Sequence, residues 1–575
     1  MKLARKNAMI SLSLLSGLLL TFSWPENGMP LLSFIALVPL LIMENFVLNN
    51  KERFSKYAVF LLSWFSFIVF NAFTTWWIVH ATIPGALVAV FLNALFMALP
   101  FALMHAARRI LPGKQGSVSL LIFWLSFEFL HMNWDLSWSW LNLGNAFATM
   151  PRVVQWYEYT GVLGGTAWII IMNLCFFGIY KAYSKSVQTI TVKRNLTDEN
   201  AIEKQKREIY LSNLEQFKII KYRTQMGIIT LFFLLTPTII SFVMWSNYQI
   251  PSGDHAEIVI VQPSRDPYAN PKEKSEEKQW ADELIELAAQ KITEDTRFVI
   301  APEAALPGGV WRDRPEENYG YRQIKNFTAR YDSLTWITGA MVYQLYESGD
   351  SLSETARYVE KIGYYMDIYN AAILINAQGD TEYYFKSKLV PGIEKMPWAS
   401  YLKPLARLVE RFGGTAGSLG VQKERTVFEG MDRSTKVAPV ICYESIYGEY
   451  VNDQIRLGAD LIFILTNDGW WKDTPGYRQH NQYARLRAIE TRRSIARAAS
   501  TGISSFITPK GQFYQSTKWW EKEAIAESLP LNDKMTFYVK SGDYIGRISV
   551  FVFILLLFYM ISQKIIKKKT NQDIY

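Results

Sequence analysis

The chain has 575 residues, 50% hydrophobic and 15% aromatic but only 20% charged, a balance that excludes a string of soluble domains and points to a membrane protein. Its formal net charge of +9 collects in loops between apolar segments and is poor evidence for nucleic-acid binding. The only cysteines, Cys175 and Cys442, exclude a disulfide framework.

Segments long and apolar enough to span a bilayer recur near 8–23, 30–47, 57–79, 84–105, 115–131, 160–183 and 226–246, with one more near 547–563. Lys2, Arg5 and Lys6 precede the first in the manner of a cleaved leader. No small-residue cleavage site follows, so this span is expected to stay as an anchor. The pattern predicts a polytopic membrane domain of seven helices over 1–246, an extracytoplasmic α/β domain over 247–546, and a closing helix with a basic tail over 547–575.

With eight spans, the clusters at Lys2–Lys6, Lys51–Lys56, Arg108–Lys114, 181–223 and Lys564–Lys569 share one side, expected to be the cytoplasm. The basic stretch 181–223 reads as a helical extension touching anionic lipid. The segment 132–159 then lies outside, where Trp134, Trp138 and Trp140 either contact lipid substrate or form an interfacial belt.

In the α/β domain, Ala256–Gln262, Phe298–Ala301, Thr335–Val342, Ala371–Asn376, Val437–Cys442, Asp460–Thr466 and Ser504–Thr508 read as strands. Several are continuous β-branched runs, as expected of strands covered on both faces. Helical patterns occupy Lys274–Ile292 and Asn481–Ala499, which together with the strands predict a layered α/β fold. The turn Asn376–Asp380 joins Ala371–Ile375 to Glu382–Phe385 in a hairpin, leaving Lys386 at a strand end.

Three reactive side chains stand just past apolar β runs: Glu303 after FVIAP, Lys386 after the hairpin, and Cys442 after VAPVI. A glutamate there is ordinarily a solvated loop residue, a lysine more so, and a lone buried cysteine is ordinarily an inert hydrophobe. A base, a cation and a thiol together suit acyl transfer. The thiol is mostly protonated at neutral pH, so Glu303 is placed to take its proton, while Lys386 and backbone N–H groups near Tyr443 can hold the oxyanion. His480 is a rival base.

APEAALP around Glu303, YFKSKLVPGIEKMPW around Lys386 and ICYES around Cys442 resemble, in order and setting, the Glu-Lys-Cys triad of the nitrilase (carbon-nitrogen hydrolase) superfamily. With seven helices before and one after, the whole chain is similar to the apolipoprotein N-acyltransferase family. The resemblance implies an αββα sandwich and a ping-pong reaction in a bacterial inner membrane, with the catalytic domain on the periplasmic face. Cys442 would take an acyl chain from a phospholipid as a thioester and pass it to the amine of a diacylglyceryl-cysteine lipoprotein. It further implies Glu303 as base, Lys386 as oxyanion stabiliser, Glu394 as an acid supporting Lys386, and Tyr443 and Glu444 as companions of the nucleophile. TNDGWW at Thr466–Trp471 and the following Arg485–Arg497 helix also look like the family. Where the family commonly has histidine two residues after its lysine, this chain has Lys388, a cation expected to disturb Lys386 by repulsion.

A lipid donor leaves the bilayer reluctantly, each buried CH₂ being worth about 0.8 kcal/mol. A route from the membrane is therefore expected. Trp140, Trp398 and Tyr401 are the candidate substrate-binding residues, the last two on a stretch to Gly413-Gly414 that reads either as a hinged arm over the site or as an ordinary surface helix. No metal or cofactor is expected, and a triad complete in one chain predicts a monomer. The rivals are a membrane-anchored carbon-nitrogen hydrolase, for which one anchoring helix would suffice, and a transporter or binding scaffold, for which buried charges within the spans would be expected.

Overall fold

Apolar residues fill both faces of the strands because both faces are covered. The computed structural model describes all residues except 1, 27, 112–114, 195–201, 270–273, 379–380, 399–416 and 573–575. Its strands are β1 (His255–Gln262), β2 (Thr296–Ile300), β3 (Leu306–Trp311), β4 (Thr335–Tyr346), β5 (Arg357–Val359), β6 (Tyr364–Asn376), β7 (Thr381–Phe385), β8 (Phe428–Glu429), β9 (Lys436–Ile441), β10 (Leu461–Thr466), β11 (Ser494–Ala499), β12 (Ser505–Ile507), β13 (Phe513–Ser516) and β14 (Glu523–Pro530). One sheet runs β14-β1-β2-β4-β6-β5, with β3 on β4 and β7 on β6; the other runs β13-β12-β11-β10-β9-β8.

Alternation along each strand sorts the side chains into layers. Ile258, Ile260, Ile300, Ile337 and Leu374 of the first sheet meet Val437, Ile441, Phe463 and Leu465 of the second in a core between the sheets. Val259, Val261 and Trp336 face the other way, onto Leu284 and Ile324 of the helices Lys274–Ala289 and Tyr319–Thr328. On the far side of the second sheet, Val440, Ile462 and Ile464 pack on Val451, Ile455, Ala484 and Ala488 of the helices Gly448–Arg456 and Pro475–Thr491. The layers are therefore α, β, β, α, as expected.

Two sequence expectations change. The helix expected over Asn481–Ala499 begins earlier, at Pro475 behind the N-cap Thr474, and stops at Thr491. Arg492 turns left-handed (φ 55°), and Ser494–Ala499 becomes the wholly buried strand β11, paired parallel to β10. Pairing on both edges, parallel with β10 and antiparallel with β12, outweighs the helix propensity of SIARAA. The second change concerns the spans. Among the described residues, six helices are long and apolar enough to cross a membrane: Pro30–Asn49, Ala58–His80, Ile83–Ile110, Tyr157–Ser184, Ile220–Asn247 and Tyr544–Lys567. The other two expected positions hold Lys2–Phe22, apolar only over Lys6–Phe22, and the 18-residue helix Gln115–Met132. The second helical segment is itself broken before Pro39, and Asn173 bridges the break by accepting from Leu37 N–H (2.8 Å) and donating to the Ser33 carbonyl (2.8 Å).

The helix Pro475–Thr491 carries the contact between the two halves. Trp24 Nε1 donates to Tyr483 (2.8 Å), whose hydroxyl donates to the Trp140 carbonyl (3.0 Å), and Trp140 Nε1 donates to Gln479 Oε1 (2.8 Å). Arg492 extends the seam by donating to Gln155 Oε1 (2.6 Å) and pairing with Glu158. The indoles of Trp24 and Trp140 and the guanidinium of Arg492 are each matched to an acceptor, which is what burial of such groups requires. The α/β domain is thus seated on the ends of the apolar helices.

Candidate active site

Three strand ends converge. Beyond β2 the chain is held against β4 by Ala301 N–H to the Ile337 carbonyl (2.9 Å) and Gly339 N–H to the Pro302 carbonyl (3.0 Å). Gly339 has no alternative: a Cβ there would lie 2.5 Å from Glu303 Cα. The Glu303 side chain is 7% exposed and satisfied on both oxygens, Oε1 by Asn370 Nδ2 (2.7 Å) and Lys386 Nζ (3.0 Å), Oε2 by Asn467 N–H (3.0 Å).

Lys386 follows β7 and is 1% exposed. Its N–H donates to the Asn370 carbonyl (2.8 Å), and its Nζ bridges Glu303 Oε1 and Glu394 Oε1 (2.8 Å). Burial opposes its charge, but the carboxylates of Glu303 and Glu394 outweigh it and hold the lysine well above the ordinary range. Two of its three N–H donors are engaged, among the described residues, and the ammonium cannot serve as a base. Lys388 does not join the groups acting on Lys386. The repulsion expected from it falls instead on Lys388, which burial and the charges of Lys395 and Arg425 push down to about 8.

Cys442 follows β9 in the left-handed region (φ 49°), a strained backbone for a non-glycine residue. Burial first, then the Glu303 charge, raise the thiol, while Lys386 and a hydrogen bond with Thr466 favour the thiolate. At neutral pH the group is a thiol and needs a base. The strained turn is braced by Ser445 Oγ donating to the Cys442 carbonyl (2.7 Å), with His480 Nε2 3.3 Å from the same oxygen. His480 therefore braces the Cys442 backbone, and its Nδ1 lies 3.0 Å from Asp468.

Glu444 ties two of the loops together. Its Oε2 accepts from Ile441 N–H (2.8 Å), and its Oε1 from Ser387 N–H (2.7 Å) and the Tyr450 hydroxyl (2.7 Å). Tyr443 reaches the membrane half, donating to the Ser137 carbonyl (2.8 Å) and stacking on Trp138. Glu394 closes its own loop by accepting from Val390 N–H (2.8 Å). Trp140 is 1% exposed, between Trp77, Trp471 and Tyr483. Trp398 is 39% exposed against Trp134, and Tyr401 with Gly413-Gly414 lies outside the described residues.

Asn370, which braces both carboxylates, was not singled out by sequence reasoning. The hairpin register held the signal, since Ala371 pairs with Phe385 and so sets Asn370 opposite Lys386. Asp468 and Arg497 were also missed as a pair. Both are fully buried and joined at 2.5 Å behind His480, and Asp468 is held far below the usual carboxylate range because Arg497 and His480 outweigh its burial.

Residues 16–175 match the family described as the apolipoprotein N-acyltransferase N-terminal domain, and residues 258–534 match carbon-nitrogen hydrolase. The apolipoprotein N-acyltransferase of Chlorobaculum tepidum is 28% identical over 552 residues, 93% of this chain and 93% of the relative. That of Geobacter metallireducens is 24% identical over 549 residues, 92% of this chain and 91% of the relative. Among solved structures, Saccharomyces cerevisiae Nit3, a member of branch 10 of the nitrilase superfamily, aligns with TM-score 0.35 and 18% identity over 48% of this chain and 91% of that one. With both halves matched, the chain belongs to the apolipoprotein N-acyltransferase family, as an N-acyltransferase whose nitrilase-like domain sits on a helical membrane domain.

Proposed function

We propose that the protein transfers a fatty acyl chain from a phospholipid to the N-terminal amine of a diacylglyceryl-cysteine lipoprotein through a thioester on Cys442. One observation carries the mechanism: a lysine locked as ammonium between two carboxylates acts on a buried, neutral thiol at a strained turn. Glu303 takes the thiol proton as sulfur attacks the ester carbonyl. The oxyanion that forms receives the remaining N–H of Lys386. Collapse breaks the C–O bond, and the proton on Glu303 passes to the departing lysophospholipid oxygen. The acceptor amine then attacks the thioester, gives a proton to Glu303, and leaves as an amide while sulfur regains the proton.

Glu394 maintains the charge of Lys386, and Glu444 fixes the distance between the Lys386 loop and the nucleophile turn. Tyr443 couples that turn to the loop after Met132. Trp398 and Tyr401 are proposed to meet the acyl donor, and Trp140 to shape its route from the interior. The basic clusters at one set of helix ends support a cytoplasmic face there, with the catalytic domain on the outer side of a bacterial inner membrane. The triad is complete in one chain, which supports a monomer.

Intact mass spectrometry tests the reading. Wild type incubated with phospholipid gains a hydroxylamine-labile fatty-acyl mass, and Cys442→Ala does not. A folded wild-type protein that stays unmodified while releasing free fatty acid would be a hydrolase.

A further inference from the structure

A cavity of about 700 Å³ opens between the loop after Met132 and the catalytic domain, lined by Trp134 and Asp135 on one side and by Ser387, Lys388, Lys423 and Arg425 on the other. It adjoins the reaction centre. Ser387 and Lys388 directly follow the catalytic lysine, so the Lys388 Cα lies within about 7.6 Å of that of Lys386 by chain length alone. Tyr450, also in the wall, donates to Glu444.

Its cations are in surplus. The carboxylates of Asp135 and Asp453 in the wall are already paired, with Lys395 and Arg456, which leaves the single carboxylate of Glu424 against the three cations Lys388, Lys423 and Arg425. Among the described residues, no carboxylate lies within ion-pairing distance of Lys388, Lys423 or Arg425. Lys388 is the most exacting of the three: half-buried, with the like charges of Lys395 and Arg425 beside it, it is pushed down to about 8 even though the Glu444 carboxylate opposes the shift. Such a group is stabilised by an anion from outside.

The depth of the cavity indicates where that anion comes from. Lys388 Nζ donates to the carbonyl of Met132 (3.2 Å), the last residue of the apolar helix Gln115–Met132. Trp134, two residues on, is 37% exposed and stands beside Trp398. A helix end flanked by exposed tryptophans marks the head-group level of a bilayer.

We propose that this cavity is a phosphate subsite in which Lys388, Lys423 and Arg425 receive the head-group phosphate of the donor lipid. The assignment deepens the acyl-transfer reading and rests on it for the word donor. The ester carbonyls of a glycerophospholipid lie a few bonds from its phosphate, so anchoring the phosphate beside Lys386 presents an ester to Cys442. Lys423 and Arg425 add positive charge to the site, and Lys388 sets its position relative to the catalytic lysine.

The test uses equilibrium binding to full-length Cys442→Ala in detergent, which needs no turnover. Dihexanoylphosphatidylglycerol is expected to bind at least about tenfold more tightly than dihexanoylglycerol, the same lipid without phosphate. The double change Lys388→Gln with Lys423→Gln is expected to abolish that difference, and Lys388→Arg with Lys423→Arg to keep it, which separates loss of charge from loss of fold. Equal affinity for the two lipids, or a difference that survives the glutamine pair, overturns the subsite, while the thioester assay stands or falls independently. Inorganic phosphate distinguishes the source. Displacement of the lipid only at concentrations about a thousandfold above the lipid's own supports a head-group site, and inorganic phosphate binding as tightly as the lipid overturns it.

Discussion

Glu394→Gln separates a catalytic lysine that is merely present from one that must be held charged. The Glu394 carboxylate accepts on both oxygens, from Lys386 Nζ (2.8 Å) and Asn370 Nδ2 (3.1 Å) on Oε1 and from Val390 N–H (2.8 Å) on Oε2. Glutamine keeps the shape but has one acceptor oxygen. Turned to keep Lys386, it sets its NH₂ against the Val390 amide; turned to keep Val390, it sets NH₂ against the ammonium. Either way a bond to a charged group is lost, worth about 1.5–3 kcal/mol. At 1.36 kcal/mol per decade that is about a 10- to 150-fold fall in the rate of Cys442 acylation. Glu394 touches the lysine and not the substrate, so the loss should appear in kcat with KM little changed. Single-turnover acylation by a 4-nitrophenyl ester, followed by nitrophenolate release and by intact mass, measures it. A variant that melts like wild type and acylates at the wild-type rate would show that Lys386 needs no second carboxylate, and the electrostatic account of this site would be wrong.

Gly339→Ala should lower stability by roughly 1–3 kcal/mol or more, since the new methyl meets the backbone of Pro302 and Glu303 and not a movable side chain; calorimetry together with acylation rate would show whether both fall. Asp468→Asn leaves the fully buried Arg497 without its charge partner, at a cost of about 3–5 kcal/mol, seen as a lower denaturant midpoint. Because Asp468 is depressed in the folded protein, its contribution is present above the unfolded carboxylate range and lost only as pH falls through the lower folded value, so acid titration of wild type should keep it well below pH 4. Lys388 loses its charge near pH 8, faced by Lys395, Arg425 and the opposing Glu444, so kcat/KM for a phospholipid should fall above about pH 8. The same limb should be absent with a 4-nitrophenyl ester and in Lys388→Arg. A phospholipid profile flat to pH 10 would contradict it.

The strand-end positions of Glu303, Lys386 and Cys442 were legible because buried strands announce themselves as β-branched runs. FVI before Ala301-Pro302-Glu303 and VAPVI before Cys442 cannot be solvated, so the first reactive residue after each falls at a sheet edge. Asn370 was hidden because asparagine in a strand has no patterning signal of its own; only its register opposite Lys386 gives it meaning. The strand Ser494–Ala499 was hidden for the opposite reason. Its small and charged residues favour a helix locally, and only the parallel partner β10 on one side and the antiparallel β12 on the other make it a strand. Arg497 then becomes an inward-pointing charge whose partner Asp468 lies 29 residues back, a pairing no local window contains.

The same distance effect reshapes the case against transport. Near-absence of charge at the centre of the spans spoke against it, yet Glu44 lies inside the second span and is fully buried. Its partners come from the helix Ile83–Ile110: His105 Nδ1 at 2.8 Å and the Arg108 guanidinium, which also donates to Asn45 Oδ1 (2.9 Å). Glu128, in the helix Gln115–Met132, accepts from Trp124 Nε1 (2.9 Å), Leu143 N–H (2.8 Å) and Thr166 Oγ1 (2.7 Å). A transport pathway needs ionisable groups that can exchange partners with a cargo. Here each buried carboxylate already has a full set of donors. Glu128 in particular joins its own helix, the loop after Asn142 and the helix beginning at Tyr157, and that loop follows directly on Trp138, which stacks on Tyr443, and Trp140, which meets Tyr483 edge to face. Glu128 thereby helps to fix the surface against which the turn at Cys442 is built, while Glu44 ties the second helical segment to the helix Ile83–Ile110; both are structural uses of buried charge.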